Sequence, residues 1–450
     1  MKQIIIITII IVVSLRNGIT QDNSNIIWVK PNSKDLRING RRNVNNVNLK
    51  KIFEEHKANN YKQALPFAKN SKLKKIYQIQ CENNSQTKKL YKKLKVRFNH
   101  KFQSIRLLRE PIPTYNPSDY AWSQGWMWHL EKIKADLAWD ITKGDENVKI
   151  AIIDTWFDPA HPDLENKLLY DYDHYSGVVF NDNCCKSHHG THVASCAAAE
   201  TDGGGQMASI GFDVSIVPFT WGNGLAKALY ASNELDVDVI SISWFNFCSP
   251  DQTGTDEAII REILDNGTII VAAAGNGYQG ACCSVNNNDR PPFTPIYPFS
   301  PTYDDRLICV SSTDQYDNHE YIKNGDTLTH SFYSEVDICS PGYSVMRADQ
   351  TQNDTCQSYC SSNCCVNNSW PYYGGGTGTS LATPIVSGTC GLMKSVNPSI
   401  SPTQAQEIIK MTADPISDEH LFSGMVGAGR LNAYCAVYRS LPLDINGDMG

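Results

Sequence analysis

Long hydrophobic runs are scarce in this chain. After Ile4 to Leu15 no stretch approaches the roughly 20 apolar residues needed to cross a bilayer, so no membrane-spanning segment is expected. The glycine-rich stretch at 374–378 is not followed by the Gly-Lys-[Ser/Thr] of a phosphate loop, and a Rossmann fingerprint is missing. A nucleotide-binding α/β protein is therefore a poor reading. Paired Cys-x-x-Cys arrays with matching histidine spacing are absent too, which weakens zinc. Acidic residues are nearly missing from 21–110, where 22 Lys+Arg face 6 Asp+Glu; beyond that point 16 Lys+Arg face 41 Asp+Glu. Cysteine follows the same divide, since Cys81 is the only one of 15 in the basic block.

What is present begins with Lys2, the apolar run and small polar residues to Thr20, the pattern of a cleaved secretory signal. The expectation is an exported, soluble product. The basic block could be a nucleic-acid arm, a membrane-surface segment, or a small domain that docks on the acidic remainder. Docking is preferred, because the block is not of low complexity. Strands are expected at 26–29, 76–80 and 102–108 and helices at 48–59 and 86–94, giving a small α/β unit. Fourteen cysteines lie beyond residue 110, and an even number in an exported chain predicts complete disulfide pairing. The sequons at Asn83, Asn266, Asn353 and Asn367 are compatible with glycosylation.

From Val148 strands and helices alternate. Val148 to Ile153, Ser215 to Pro218, Val239 to Ser243, Ile269 to Ala274, Leu307 to Ser311 and Val336 to Ser340 read as strands. Thr191 to Ala199, Leu225 to Leu235, Glu257 to Asp265 and Ile385 to Val396 read as helices. The fold class expected is α/β, a mostly parallel doubly wound sheet with sites at the carboxyl ends of its strands.

Three segments then stand out: Ile152-Ile153-Asp154-Thr155, His189-Gly190-Thr191-His192-Val193-Ala194, and Gly378-Thr379-Ser380-Leu381-Ala382-Thr383-Pro384. Singly, Asp154 reads as a strand-end turn residue, His189 as a helix cap and Ser380 as an N-cap. Together they supply what a serine nucleophile needs: an imidazole to take its proton and a carboxylate to fix that imidazole's tautomer. Ser380 opens a helix whose free N–H groups point back at it, and Asn276, after a strand, adds an amide donor for a developing oxyanion.

From Trp128 to Tyr438 the chain resembles the subtilisin-like serine proteases, the subtilases, made as secreted precursors. The likeness also rests on His161-Pro162-Asp163-Leu164, Ala273-Ala274-Gly275-Asn276 and Gly427-Ala428-Gly429-Arg430-Leu431-Asn432-Ala433. By resemblance Asp154 orients, His189 is base and then acid, Ser380 attacks, and Asn276 with the Ser380 N–H forms the oxyanion hole. His192 matches a structural histidine of the family, and His188 is a bystander. The chain departs from the family at Trp156 and Phe245, where glycine is usual, at Ser195, and in a cysteine-rich insertion at 348–373.

The resemblance implies a signal at 1–20, a chaperone-like inhibitory propeptide at 21–112, a catalytic domain at 113–440 and a tail at 441–450. The mature start is expected between Glu110 and Asp119. Substrate would add as an antiparallel strand beside Ile240 to Trp244, with Ser243, Trp244 and Phe245 among the contacts; that strand and Ala273, Ala274 and Gly275 would wall an apolar first pocket, with Ile296 near its base, and Phe245 would narrow the range of sequences. Asp163, with the loop at 201–205, implies a structural calcium; no catalytic metal is expected. Expected partners are protein or peptide substrates and the chain's own propeptide, with neither nucleic acid nor membrane, and the enzyme should be a monomer. The competing reading is an inactive subtilase acting as a binding or decoy protein.

Overall fold

The computed structural model describes residues 26–32, 47–64, 73–108, 115–180, 188–244, 254–277, 304–323, 326–349, 373–422 and 424–442. Phe245, Ile296, the signal and nearly all of the insertion lie outside them. The chain divides into two compact units, 1–113 and 114–450.

The first unit contains β1 (Ile26–Pro31), α1 (Val47–Glu55), β2 (Ala58–Gln63), β3 (Tyr77–Cys81), α2 (Asn84–Arg97) and β4 (Phe102–Leu108). Its strands form one sheet in the order β2-β3-β1-β4. Ile27, Val29 and Ile79 bury the sheet face against Leu49 and Phe53 of α1 and Leu90 and Leu94 of α2. The expected helix at 48–59 is corrected here. It stops at Glu55, and Lys57, at φ 51°, turns the chain into β2, which pairs with β3. Pairing with a neighbouring strand outweighs local preference at the end of that segment.

In the second unit short helices α3 (Tyr120–Ser123), α4 (Trp128–Lys132) and α5 (Ala135–Trp139) precede the sheet. The alternation that follows is β5 (Lys149–Asp154), α6 (His189–Ala198), β6 (Ser215–Thr220), α7 (Gly224–Glu234), β7 (Val239–Ile242), α8 (Gly254–Asp265), β8 (Ile269–Ala273) and β9 (Ile308–Thr313). A hairpin, β10 (Glu320–Lys323) and β11 (Asp326–Thr329), leads to β12 (Ile338–Pro341). A second, made of β13 (Val345–Ala348) and β14 (Tyr373–Gly376), leads to α9 (Thr379–Val396), then α10 (Pro402–Thr412) and α11 (Ala433–Ser440).

Six strands form the main sheet in the order β12-β9-β8-β7-β5-β6, and every pairing within it is parallel. The expected α/β architecture is thus observed. Successive side chains of β5 go to opposite faces, as strand geometry requires. Ile150 and Ile152 join Val193, Ile385 and Val386 in one core, while Ala151 and Ile153 join Ala228, Ala231, Ile260 and Ile263 in the other. With both faces covered, the polar ends of the strands are where chemistry can sit.

The complete pairing of cysteines expected from the sequence fails. Cys196, Cys309, Cys339, Cys390 and Cys435 are free, as is Cys81 in the first unit. Four of them, Cys196, Cys309, Cys339 and Cys390, are buried in the core, where a thiol packs as a small apolar group. Burial pushes the Cys196 and Cys390 thiols up to about 12, so they stay protonated. Among the described residues no helix is long and apolar enough to cross a membrane.

Candidate active site

Asp154 is the last residue of β5 and only 1% exposed. Its Oδ1 accepts from the Thr155 N–H at 2.6 Å and faces His189 Nδ1 at 2.7 Å. A carboxylate only accepts, so this contact puts the proton on Nδ1 and leaves Nε2 with a free lone pair, the form a general base needs. Burial works to lower the His189 pKa, but the charge and hydrogen bond of Asp154 outweigh it, and the net shift is upward.

His189 opens α6, and the next residue explains how the helix sits so close to β5. A Cβ on Gly190 would lie 2.7 Å from the Trp156 carbonyl oxygen and 3.0 Å from the Phe157 ring. Trp156, the departure from glycine, is buried edge-on to Phe180 at 5.4 Å. Its carbonyl accepts from the Thr191 N–H at 3.2 Å, so it braces the first turn of α6.

The other half of the site lies at the start of α9. The helix begins at Thr379, six residues before the apolar run, so Ser380 sits in its first turn and its N–H has no acceptor one turn back. Asn276 Oδ1 accepts from the Thr379 N–H at 2.8 Å and the Thr379 hydroxyl at 3.0 Å. With Oδ1 committed, the amide is oriented, and among the described residues its NH2 group has no acceptor. The loop carrying Asn276 is itself pinned. Gly275 donates to Thr379 Oγ1 at 3.1 Å, Ser331 donates its N–H to Gly275 O at 2.9 Å, and Gly277 donates to Ser331 Oγ at 3.3 Å. Thr379 and Ser331 were not singled out from the sequence; Thr379 lay inside a quoted motif, whereas Ser331 carried no local signal.

Pro384 lies inside α9 and has no N–H for the Ser380 carbonyl. The Ser243 hydroxyl, just past β7, donates to that carbonyl at 3.1 Å instead. Trp244 is turned inward, its indole N–H donating to Ile153 O at 2.6 Å. Its side chain is core, which leaves its backbone for any substrate contact. Ala273 and Ala274 are buried at the end of β8.

His192, one turn after His189, faces Asp349 Oδ1 at 3.2 Å. Burial takes its pKa down to about 4. His188 is buried and caps α6 without a side-chain hydrogen bond to the helix.

Asp163 is fully buried, and a Cβ on Gly205 would collide with its Oδ1 at 1.5 Å. Burial raises its pKa to about 6, the Tyr373 phenol and the Gln206 N–H pull the other way, and the charge of Asp119 adds to the rise. Among the described residues Asp163 Oδ1 and Asp119 Oδ1 are buried without a hydrogen-bond partner. Two such oxygens suit a hard cation, although no group of three His, Cys, Asp or Glu is gathered there among the described residues.

Residues 145–429 match the profile described as "Subtilase family". Thermitase of Thermoactinomyces vulgaris is 30% identical over 334 residues, covering 72% of this chain and 99% of its own. The thermophilic serine proteinase of Bacillus sp. (strain AK1) is 27% identical over 383 residues, covering 81% and 82%. Among solved structures, fervidolysin from Fervidobacterium pennivorans, described as a keratinolytic enzyme related to subtilisin, aligns with a TM-score of 0.53 at 20% identity. It covers 95% of this chain and 62% of its own.

Proposed function

Because the chain belongs to the subtilase family and is thereby a serine-type peptidase, we propose that it is a secreted endopeptidase made as a self-processing precursor. The observation that carries the catalytic reading is the 2.7 Å contact between His189 Nδ1 and a carboxylate, Asp154, that is 1% exposed. In this reading His189 Nε2 takes the Ser380 hydroxyl proton as Oγ attacks the peptide carbonyl. The negative charge formed on the carbonyl oxygen is met by the Asn276 NH2 and the Ser380 N–H. His189 then gives the proton to the leaving amine, the C–N bond breaks, and water activated by the same imidazole releases the acyl group from Ser380.

In the same reading residues 1–20 serve as signal and the basic block at 21–112 as propeptide, and the opposite net charge of the remainder favours association. A serine-directed fluorophosphonate tests the core of this reading. Wild type should be labelled and processed, whereas Ser380→Ala should be unlabelled and accumulate as precursor; labelling of the variant would refute Ser380 as nucleophile.

Asp163 and Asp119 would hold a structural calcium, with carbonyl oxygens and water completing its shell. Without metal, a carboxyl raised to about 6 contributes stability below about 3.8 that is lost as pH rises through 6. Calcium binding the ionised form would restore it. The melting temperature at pH 7 should therefore rise with calcium and fall with chelator, and Asp163→Asn should abolish the response. No difference in the wild type removes the calcium.

A further inference from the structure

β13 and β14 pair antiparallel, with Arg347 opposite Gly374. Three glycines, Gly374 to Gly376, leave β14 without side chains over most of its length. At Gly376 that bareness is needed, since a Cβ there would come within 2.5 Å of Leu381 Cδ1 and 2.8 Å of Arg347 Nε. The Arg347 side chain therefore lies across β14 beside Leu381, the residue that follows the nucleophile. β13 is also fastened to the helix of His189, because Ala348 donates its N–H to Ser195 Oγ at 2.9 Å.

The hydrogen-bonding capacity left in this cluster is that of a donor. Asp349 spends Oδ2 on Arg347 Nη1 at 3.1 Å and Oδ1 on His192 Nε2 at 3.2 Å. Arg347 has five N–H donors, and besides Asp349 only Nη1 reaches an acceptor, the Ala348 carbonyl at 3.5 Å. Among the described residues Nε and Nη2 have no hydrogen-bond partner, and neither is a buried orphan. With its side chain 17% exposed, the guanidinium presents spare donors to solvent, and its positive charge works to lower the pKa of His189.

We propose that Arg347 forms a carboxylate-binding site on the leaving-group side of the cleft, so that Asp or Glu shortly after the cleaved bond marks a favoured substrate. The inference rests on the endopeptidase reading above. The imidazole hands its proton to the leaving amine, so the departing residues must pass His189, and Arg347 stands on β13, the strand fastened to the helix that carries His189. The acyl part of the substrate would instead run along the ends of β7 and β8. A guanidinium meets a carboxylate with parallel N–H donors, whereas it repels Lys or Arg at the same place.

The test uses the matured enzyme and peptides identical except at the two positions after the cleaved bond, carrying Glu, Asp, Ala or Arg. In wild type, kcat/KM for Glu and Asp should exceed that for Ala by about fivefold at low salt, chiefly through KM, and Arg should be disfavoured. Arg347→Gln should bring the acid-to-Ala ratio to about one, and Arg347→Lys should keep part of it. Equal values for Glu and Ala in wild type, or a ratio that survives Arg347→Gln, would overturn the proposal. An enzyme that cleaves none of the peptides and takes no fluorophosphonate label would instead refute the parent reading.

Discussion

Two histidines on one face of α6, a turn apart, each meet a carboxylate, and their chemistry diverges. His189 faces Asp154 at 2.7 Å, and that carboxylate is 1% exposed. His192 faces Asp349 at 3.2 Å, but Asp349 is 26% exposed and already engaged by Arg347. Burial lowers both imidazoles. Arg347 opposes protonation of both, yet Asp154 outweighs burial and Arg347 for His189, while Asp349 does not for His192. A carboxylate makes a base of its neighbour when it is held dry and bonds no competing cation; shared with a guanidinium, it only holds the ring in place.

The comparison breaks most completely if His189 loses its partner. Asp154→Asn should reduce kcat about ten-thousandfold, because an amide facing Nδ1 no longer demands the proton there and the useful tautomer is lost. Single-turnover kinetics on an activated ester would read this, and a loss under tenfold would contradict the assigned role.

The next effect separates proton transfer from charge stabilisation. Asn276→Ala should lower kcat by about a hundred- to a thousandfold while the pH midpoint of its acid limb stays put, since the amide acts on the oxyanion and not on the imidazole. A displaced midpoint would show that Asn276 works through His189.

A smaller change sharpens the contrast directly. Activity requires neutral His189, so it should fall as pH drops through a midpoint above 6.5, the ordinary imidazole value. Arg347 opposes protonation of His189, hence Arg347→Gln should move that midpoint to higher pH, by less than the shift Asp154 produces. A midpoint moving down in the kcat/KM profile would invert the sign of the argument. Smallest of all is the effect on thiols. Denatured, unreduced mature enzyme should titrate Cys196, Cys309, Cys339, Cys390 and Cys435. Fewer than five would mean that the buried thiols find partners.

Asp154, His189, Asn276 and Ser380 could be picked out as candidates because each sits in a short segment whose chemistry is local, and the Asp154–His189 contact expected of them is present. The parallel, doubly covered character of the sheet was legible too, since near-continuous apolar runs such as Ile150 to Ile153 suit a sheet buried on both faces, whereas the order of its strands was not. Arg347 and Asp349 were not. Their meaning comes from contacts across some 150 residues, as in the His192–Asp349 bond, and nothing beside them in sequence announces it. The start of α9 was legible only to within a residue or two, Ser380 reading as its N-cap where Gly378 holds that place, because Thr379 to Thr383 mixes polar and small residues. What sets the onset is the Gly378 carbonyl, which accepts from the Leu381 and Ala382 N–H groups. The cysteines misled for another reason: compartment says what thiols can do, whereas burial in separate elements decided what five of them do.

Pro384 carries a consequence for how such an enzyme can be altered. By withholding one N–H it leaves the carbonyl of Ser380 to the hydroxyl of Ser243, at the margin where a substrate strand would lie. The first turn of the helix is thus anchored partly from outside itself. On the proposed reading, grip on the substrate and aim of the nucleophile share that anchor, so a change at Ser243 chosen to widen recognition should also slacken Ser380, and affinity and turnover should not be adjustable one at a time from this edge.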